Sequence, residues 1–348
     1  MKNNFILNQL VTVRLAATLF FSTTVVLAPG LASADDTTPV TVKTFTRAES
    51  DVAIKRVYDA VGFSKFFHIR VPTPIDQQNV IRMNRDTIYS SAVLDLSKPV
   101  TVTIPDTDER YMSLQVISQD HYSYAVSKPG DYEITKAMVG TRFAYLIIRT
   151  FMDADDTQDI AAANSAQDRL AIKGGGDGPL DLPNWNMEQL LEARGALNTL
   201  AKLGGKSDDA LGMKDEVDPI DHLVFGAAGW GGLPKKSAYY ELDSVDHNDG
   251  TPYSVTIGDV PVDAFWSVTI YNADGFISKN ASGVYSFNNV TADPNKDGSI
   301  TINFGGCEDG RVNCLPVTEG WNYAVRMYQP RPEILDGTWV FPAIEPVK

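Results

Sequence analysis

Hydrophobic and polar residues alternate strictly along Val100–Pro105 (VTVTIP) and again along Ser113–Ser118 (SLQVIS), the period-two pattern of strands with one buried face. Pro105-Asp106 separates these runs, and Lys128-Pro129-Gly130-Asp131 supplies a further turn. Phe143–Thr150 (FAYLIIRT) is apolar on both faces, which predicts a central strand. The design recurs: Tyr111–Ile117 (YMSLQVI) is answered by Phe265–Tyr271 (FWSVTIY), so a duplicated β unit is expected, centred on Asn84–Ala125 and on Pro261–Phe276. After Tyr239 the pattern is β again, through YSVTIG, GVYSFNN, SITINFG and WNYAVRMYQP.

Helical periodicity interrupts this pattern in three places. Ile54, Val57, Tyr58 and Val61 form an apolar stripe that Gly62 ends, with Ser50 as its expected N-cap. Asp156-Thr157 opens a second helix, expected to run through IAAANSAQDRLAI. NMEQLLEARGALNTLAKLG is a third, ending at Gly204-Gly205, and Gly226–Pro234 (GAAGWGGLP) is expected to be a connector. Short strands with turns at this spacing indicate packed antiparallel sheets rather than a βαβ fold. The fold class expected is mainly β, with two jelly-roll-like antiparallel β-sandwich domains at 35–152 and 236–348. A helical and Gly-rich segment, 153–235, connects them.

Lys2 and Arg14 flank a start without acidic residues, Leu15–Ala28 is mostly apolar, and Ala32-Ser33-Ala34 offers a small-residue cleavage site. That layout predicts a signal peptide over 1–34 and an exported protein, periplasmic or extracellular. The apolar run is short of the ~20 residues a membrane span needs, and no later stretch resembles one. Removal would leave 314 residues and shift the formal net charge from −14 to −16. Such an acidic chain disfavours nucleic acid and anionic lipid as partners. In an oxidising compartment Cys307 and Cys314 (CEDGRVNC) are expected to pair as a local disulfide.

No cofactor is evident. Asp293–Ile300 (DPNKDGSI) begins like a calcium loop, but Phe304 stands where the bidentate carboxylate belongs, so a hairpin turn is expected and no metal. The glycines after Lys173 lack the Gly-Lys-Ser/Thr ending of a phosphate loop, Gly-x-Ser-x-Gly is absent, and the four histidines lack zinc spacing. The candidate catalytic residues are Arg85, Asp86, Asp120, His121 and His68. Asp120-His121 and Asp221-His222 each set an acid beside an imidazole, although neighbours on a strand point to opposite faces. Arg85 is expected either as a clamp, paired to an internal acid such as Asp120, or as an anion-recognition group in a cleft. Tyr89, Tyr122, Trp266 and Tyr271 are candidate ligand-lining aromatics, with Tyr111 beside them.

NRDTIYSSAVLDLSKPV together with PDTDERYMSLQV resembles the exported bacterial family built from the domain of unknown function 1254. AGWGGLP, FWSVTIYNADGF, NKDGSITI and AVRMYQPRPEILDGTWVFPAIEPV resemble its usual C-terminal companion, the domain of unknown function 1214. The resemblance spans Val52 to Val347. It implies two β-sandwich domains of jelly-roll type with intervening helices, and it carries no established activity. Where that pattern usually reads Asn-Trp-Leu-Pro, this chain has Asn313-Cys314-Leu315-Pro316, which implies a disulfide in place of an aromatic plug. The function expected is a protein binding a small molecule or glycan. The alternatives are a hydrolase or lyase with its site in the cleft between domains, and a structural protein that assembles as an oligomer.

Overall fold

The computed structural model describes residues 37–78, 81–203 and 209–347, so the expected signal peptide, 1–34, and the expected helix end at Gly204-Gly205 lie outside the described residues. In the N-terminal half, α1 (Phe45–Val61) precedes β1 (Phe67–His68), β2 (Thr87–Asp95), β3 (Val100–Ile104), β4 (Met112–Ser118), β5 (Ser123–Val126), β6 (Gly130–Ile134), α2 (Lys136–Val139) and β7 (Phe143–Phe151). The connecting part holds α3 (Thr157–Gln167), β8 (Ala171–Gly174), α4 (Met187–Ala201) and α5 (Pro219–Ala228). The C-terminal half contains β9 (Ala238–Ser244), β10 (Tyr253–Ile257), β11 (Trp266–Tyr271), β12 (Ser286–Asn288), β13 (Ile300–Phe304), β14 (Cys314–Leu315), β15 (Asn322–Tyr328), α6 (Pro332–Leu335) and β16 (Glu345–Pro346).

The chain is mainly β. Each half has a large sheet, ordered β1-β2-β7-β4-β5 and β12-β11-β15-β9, and a smaller one, β6-β3-β8 and β14-β13-β10-β16. Alternation explains the packing. Val100, Val102 and Ile104 of β3 turn inward and meet Met112, Leu114 and Val116 of β4 in one apolar cluster. In the second half Val255 and Ile257 meet Trp266, Val268 and Ile270 in the same manner. Each fully buried aliphatic side chain contributes roughly 1.5–3 kcal/mol, so truncating Leu114 to alanine would cost about 2–5 kcal/mol. β4 and β11 are buried on both faces, as is the central β7. Their second faces must therefore be covered by something other than the small sheets.

The expected duplication is visible strand by strand. β2, β3, β4, β5, β6 and β7 correspond to β9, β10, β11, β12, β13 and β15, because the neighbour order β2-β7-β4-β5 repeats as β9-β15-β11-β12 and the pair β3–β6 as β10–β13. The halves meet at an aromatic seam in which Phe151 packs edge-on to Phe265 at 4.7 Å and Tyr111 lies 5.3 Å from Tyr328. Cys307 and Cys314 are bonded, pinning the loop before β14.

Three local expectations are corrected. α1 starts at Phe45 with Thr44 at its N-cap, and Ser50 is buried within the helix. The apolar stripe extends N-terminally through Phe45 and Ala48, which outweighs Ser50 as a start signal. The second helix stops at Gln167, and Ala171–Gly174 forms β8 instead, because β3 has an open edge that pairs with it from Val100 to Thr103. Gly226 belongs to α5 rather than to a connector; Asp218 caps this helix through Ile220 N and Asp221 N, with Pro219 in the first turn.

Candidate functional site

The second faces of the two large sheets look toward each other and carry polar groups. Because Met112 and Leu114 point into the sandwich core, Ser113 and Gln115 point away from it; the same alternation turns Arg149 of β7 outward. Arg149 is nevertheless only 6% exposed. Its Nη1 donates to Gln115 Oε1 at 2.8 Å and its Nη2 to Gly231 O at 2.6 Å, and the guanidinium lies 5.7 Å over the Tyr89 ring. Arg326 of β15, 4% exposed, donates Nη1 to Thr269 Oγ1 at 3.0 Å and Nη2 to Arg82 O and Tyr271 OH, both at 2.7 Å.

Each arginine thus holds the strand-entry segment of the other half. Residues 82–86, leading into β2, cross to the C-terminal sheet, where Tyr271 OH donates to Met83 O at 2.9 Å and Asn84 Nδ2 to Tyr328 OH at 2.9 Å. Residues 229–234, leading into β9, cross to the N-terminal sheet. Gly231 can do this because its φ is +78° and a Cβ there would lie 3.0 Å from Ile147 Cδ1.

The electrostatics of this layer run against those of the whole chain. The protein carries a formal charge of −14, yet Arg82, Arg149 and Arg326 gather here, and among the described residues none of the three forms a salt bridge. Asp86, 1% exposed, is the acid that faces Arg326. Burial pushes its carboxyl up, against the pull of Arg326, Ser267 and Asn288. Burial would lower Arg326, but Tyr271, Tyr328 and Asp86 outweigh it and raise the group, so it stays a cation. Arg82 is drawn down by burial, with Arg326 adding to the effect against Tyr271. Tyr111 is pushed up to about 12 by burial, and Tyr240, Tyr271 and Tyr328 are raised for the same reason. Asp86, Ser113 and Ser267 are all buried, with Ser267 beside the Asp86 carboxyl and Ser113 beside the Tyr111 hydroxyl. Tyr89 and Tyr240 are the least buried tyrosines of this layer and mark its rim.

The residues singled out from sequence are dispersed. Asp86 lies in this layer, with Tyr89 and Tyr271. Arg85 points away from it, donating to Thr73 O at 3.3 Å, facing Asp155 at 3.7 Å and covering the Tyr285 ring at 5.2 Å. Asp120 does not clamp Arg85: it pairs with Arg47, 2.6 Å away, because it lies beyond the far end of β4. His121 is buried there with φ +67°, between Trp230 and His222, and its Nε2 accepts from Gly231 N at 2.8 Å. Burial, with His222 beside it, lowers His121 to about 3. Tyr122 stacks on His222 at 4.5 Å. His222 stands on α5, not on a strand beside Asp221, with both ring nitrogens 3.0 Å from carbonyl oxygens, those of Ala210 and Asp120. His68 Nδ1 is 2.8 Å from Ser90 Oγ, on the opposite side of β2 from Tyr89. Trp266 is in the C-terminal core. Arg85, Asp86, Asp120 and His121 therefore do not share one pocket.

Arg149, Arg326, Ser113, Ser267 and Tyr240 were not anticipated. The available signal was one arginine inside each of two otherwise apolar strands, FAYLIIRTF and NYAVRMY. Elsewhere, an open cavity of about 410 Å³ is lined by Tyr58, Phe63, Ser64, Lys98, Gly174–Gly176 and Asp177. The amides of Gly175 and Gly176 are bonded to Pro99 O and Asp95 O, which leaves no anion cradle there. Among the described residues no group of three or more His, Cys, Asp or Glu side chains could hold a metal. No helix among them is long and apolar enough to cross a membrane.

Two families of proteins of unknown function match the chain, DUF1254 over residues 63–128 and DUF1214 over residues 237–332. No curated protein matches. The crystal structure of the VPA0106 protein from Vibrio parahaemolyticus is similar, with a TM-score of 0.63 and 22% identity, covering 88% of this chain and 98% of that one. An uncharacterized protein from Burkholderia cenocepacia has a TM-score of 0.48 at 15% identity, covering 88% of each chain. The Vibrio structure shares the fold across both halves.

Proposed function

We propose that this chain, an N-terminal DUF1254 domain followed by a DUF1214 domain, is a binding protein for a small organic acid held between its two large sheets. The observation that carries the reading is Arg149: a guanidinium buried to 6% exposure with no carboxylate partner among the described residues. A buried charge without a countercharge costs several kcal/mol, and a ligand carboxylate would supply the countercharge. The planar donors of arginine suit a carboxylate, and Tyr89, under the guanidinium and partly exposed, gives the rest of the ligand an aromatic surface. A neutral glycan offers Arg149 no charge, whereas a sugar acid would. Export belongs to this reading, on the strength of the layout of residues 2–34 and the Cys307–Cys314 disulfide.

The test is a thermal-shift screen of monocarboxylates, dicarboxylates, sugar acids and neutral sugars on wild type and Arg149→Gln. A ligand that binds only the native state raises the melting point by mass action. Acids are expected to shift wild type and neutral sugars to leave it unchanged. Losing charge-assisted hydrogen bonds worth about 2–3 kcal/mol weakens binding on the order of 100-fold in the variant. No shift with any acid, or equal shifts in both proteins, would sink the reading.

A further inference from the structure

The two halves repeat the site as well as the fold. Tyr89 and Ser113 flank Arg149 across β2, β7 and β4. Tyr240 and Ser267 flank Arg326 across β9, β15 and β11 in the same register. Each arginine donates to the residue two places beyond its serine, Gln115 in one half and Thr269 in the other. Backbone bonds extend the equivalence: Phe151 N donates to Tyr111 O at 2.9 Å, as Tyr328 N does to Phe265 O at 2.8 Å. Met152 N donates to Asp86 O at 3.0 Å, as Gln329 N does to Ser237 O at 3.0 Å. Asp86 and Ser237 therefore hold the same position, three residues before Tyr89 and Tyr240.

These equivalent positions differ in chemistry. Asp86 reaches over the sheet of the opposite half, where its Oδ1 is 3.4 Å from Asn288 Nδ2, and Asn288 lies directly across from Ser267 beside Arg326. The Arg326 row has a carboxyl supplied by the chain. By the same relation position 237 serves the Arg149 row, and there the chain has a serine, half-buried at the rim. The two rows share their arginine and serine, but where Asn288 meets Asp86 the Arg149 row has Ser127, which Gln329 Nε2 reaches from the opposite half.

We propose that the layer holds two equivalent anion half-sites: Asp86 fills the Arg326 half from within, and Ser237 leaves the Arg149 half to the carboxylate of an organic acid. This rests on the binding role given to Arg149 and adds what determines it. The ligand's carboxylate takes the place an aspartate would occupy at position 237, and its remaining atoms extend toward the rim formed by Tyr89 and Tyr240. Specificity for a single carboxylate follows, since the second half-site is already occupied.

Calorimetric titration with acetate and benzoate tests this on wild type, Ser237→Asp, Ser237→Asn and Asp86→Ser, each first checked for a cooperative melt. Wild type is expected to bind one equivalent. Ser237→Asp should lose binding at least 10-fold with Arg149 untouched, and so should Ser237→Asn, whose side chain fills the same place. Asp86→Ser should bind two equivalents. Wild-type affinity in Ser237→Asp or in Ser237→Asn would overturn the proposal while leaving the role of Arg149 standing. So would a single equivalent in a folded Asp86→Ser. Carboxylate binding that survives Arg149→Gln, or none in wild type, would instead overturn the functional reading beneath it.

Discussion

His121 makes the stability of the site depend on pH in a direction that can be worked out. Its Nε2 accepts from Gly231 N, so that nitrogen carries no proton, and Gly231 O in turn receives Arg149 Nη2. Protonating His121 would set an N–H against an N–H and loosen the segment that holds Arg149. Burial to 1% exposure, and His222 tilted against it 5.6 Å away, oppose the charge, holding His121 at about 3 against 6.5 for an ordinary histidine. The folded value is depressed, so between those limits the unfolded chain binds a proton that the folded chain refuses. Stability is therefore full above about pH 6.5 and falls as pH drops, by about 1.4 kcal/mol per pH unit. By pH 4.5 the loss reaches about 2.7 kcal/mol relative to alkaline pH. His68, also lowered by burial and by Arg70, titrates in the same direction, so the His121 share must be isolated by difference. His121→Asn suits the left-handed backbone at this position and removes the titration. Urea unfolding of both proteins at pH 7.5, 6.5, 5.5 and 4.5 would measure it. The variant is expected to be less stable at pH 7.5 by roughly 1–3 kcal/mol, the cost of an unmet buried donor. The gap should close, then reverse or nearly vanish, by pH 4.5. Parallel stability curves for the two proteins would refute the assignment.

Three further outcomes follow from packing and charge. Replacing Cys307 and Cys314 by serine opens a loop of separation 7, and the chain-entropy relation puts the loss at roughly 2.4 kcal/mol; chemical denaturation of oxidised protein and double variant would show it as a lower midpoint. Gly176→Ala would place a Cβ 2.1 Å from Ser97 Oγ and 2.7 Å from Asp95 Oδ2, beside the Asp95–Arg142 ion pair. A cost of about 1–3 kcal/mol is expected there, whereas Gly258→Ala, with nothing within 4 Å, should be far milder in the same melt. Asp86→Asn should become progressively more stable than wild type as pH rises above 3.8, because burial raises the folded carboxyl and wild type alone must give up that proton; an unchanging difference would contradict this.

The strands were legible because their periodicity is strong: VTVTI of β3 alternates buried and half-buried residues without exception. The duplication was legible for the same reason, since YMSLQVI and FWSVTIY became β4 and β11. α5 was hidden because PIDHLVFGAA is short and apolar nearly all round, and its Asp218-Pro219 start precedes a glycine cluster that reads as loop. β8 was hidden because four residues carry no period, and pairing with β3 decided its conformation. Asp86 was picked out for its charge, but its meaning depended on Arg326, 240 positions away in sequence. Arg149 drew no attention because it sits in a run whose burial on both faces was attributed to apolar packing alone. Local pattern reports which face a residue takes; only the second sheet across the layer reveals that the face is closed and electropositive.

Crystals soaked with 4-bromobenzoate would locate the ligand through the anomalous signal of bromine. The expected result is one molecule with its carboxylate within hydrogen-bond distance of Arg149, near Ser237, and its bromine toward the rim of Tyr89 and Tyr240. Ligand bound instead in the open cavity beside Gly174–Gly176, with none between the sheets, would contradict the central claim.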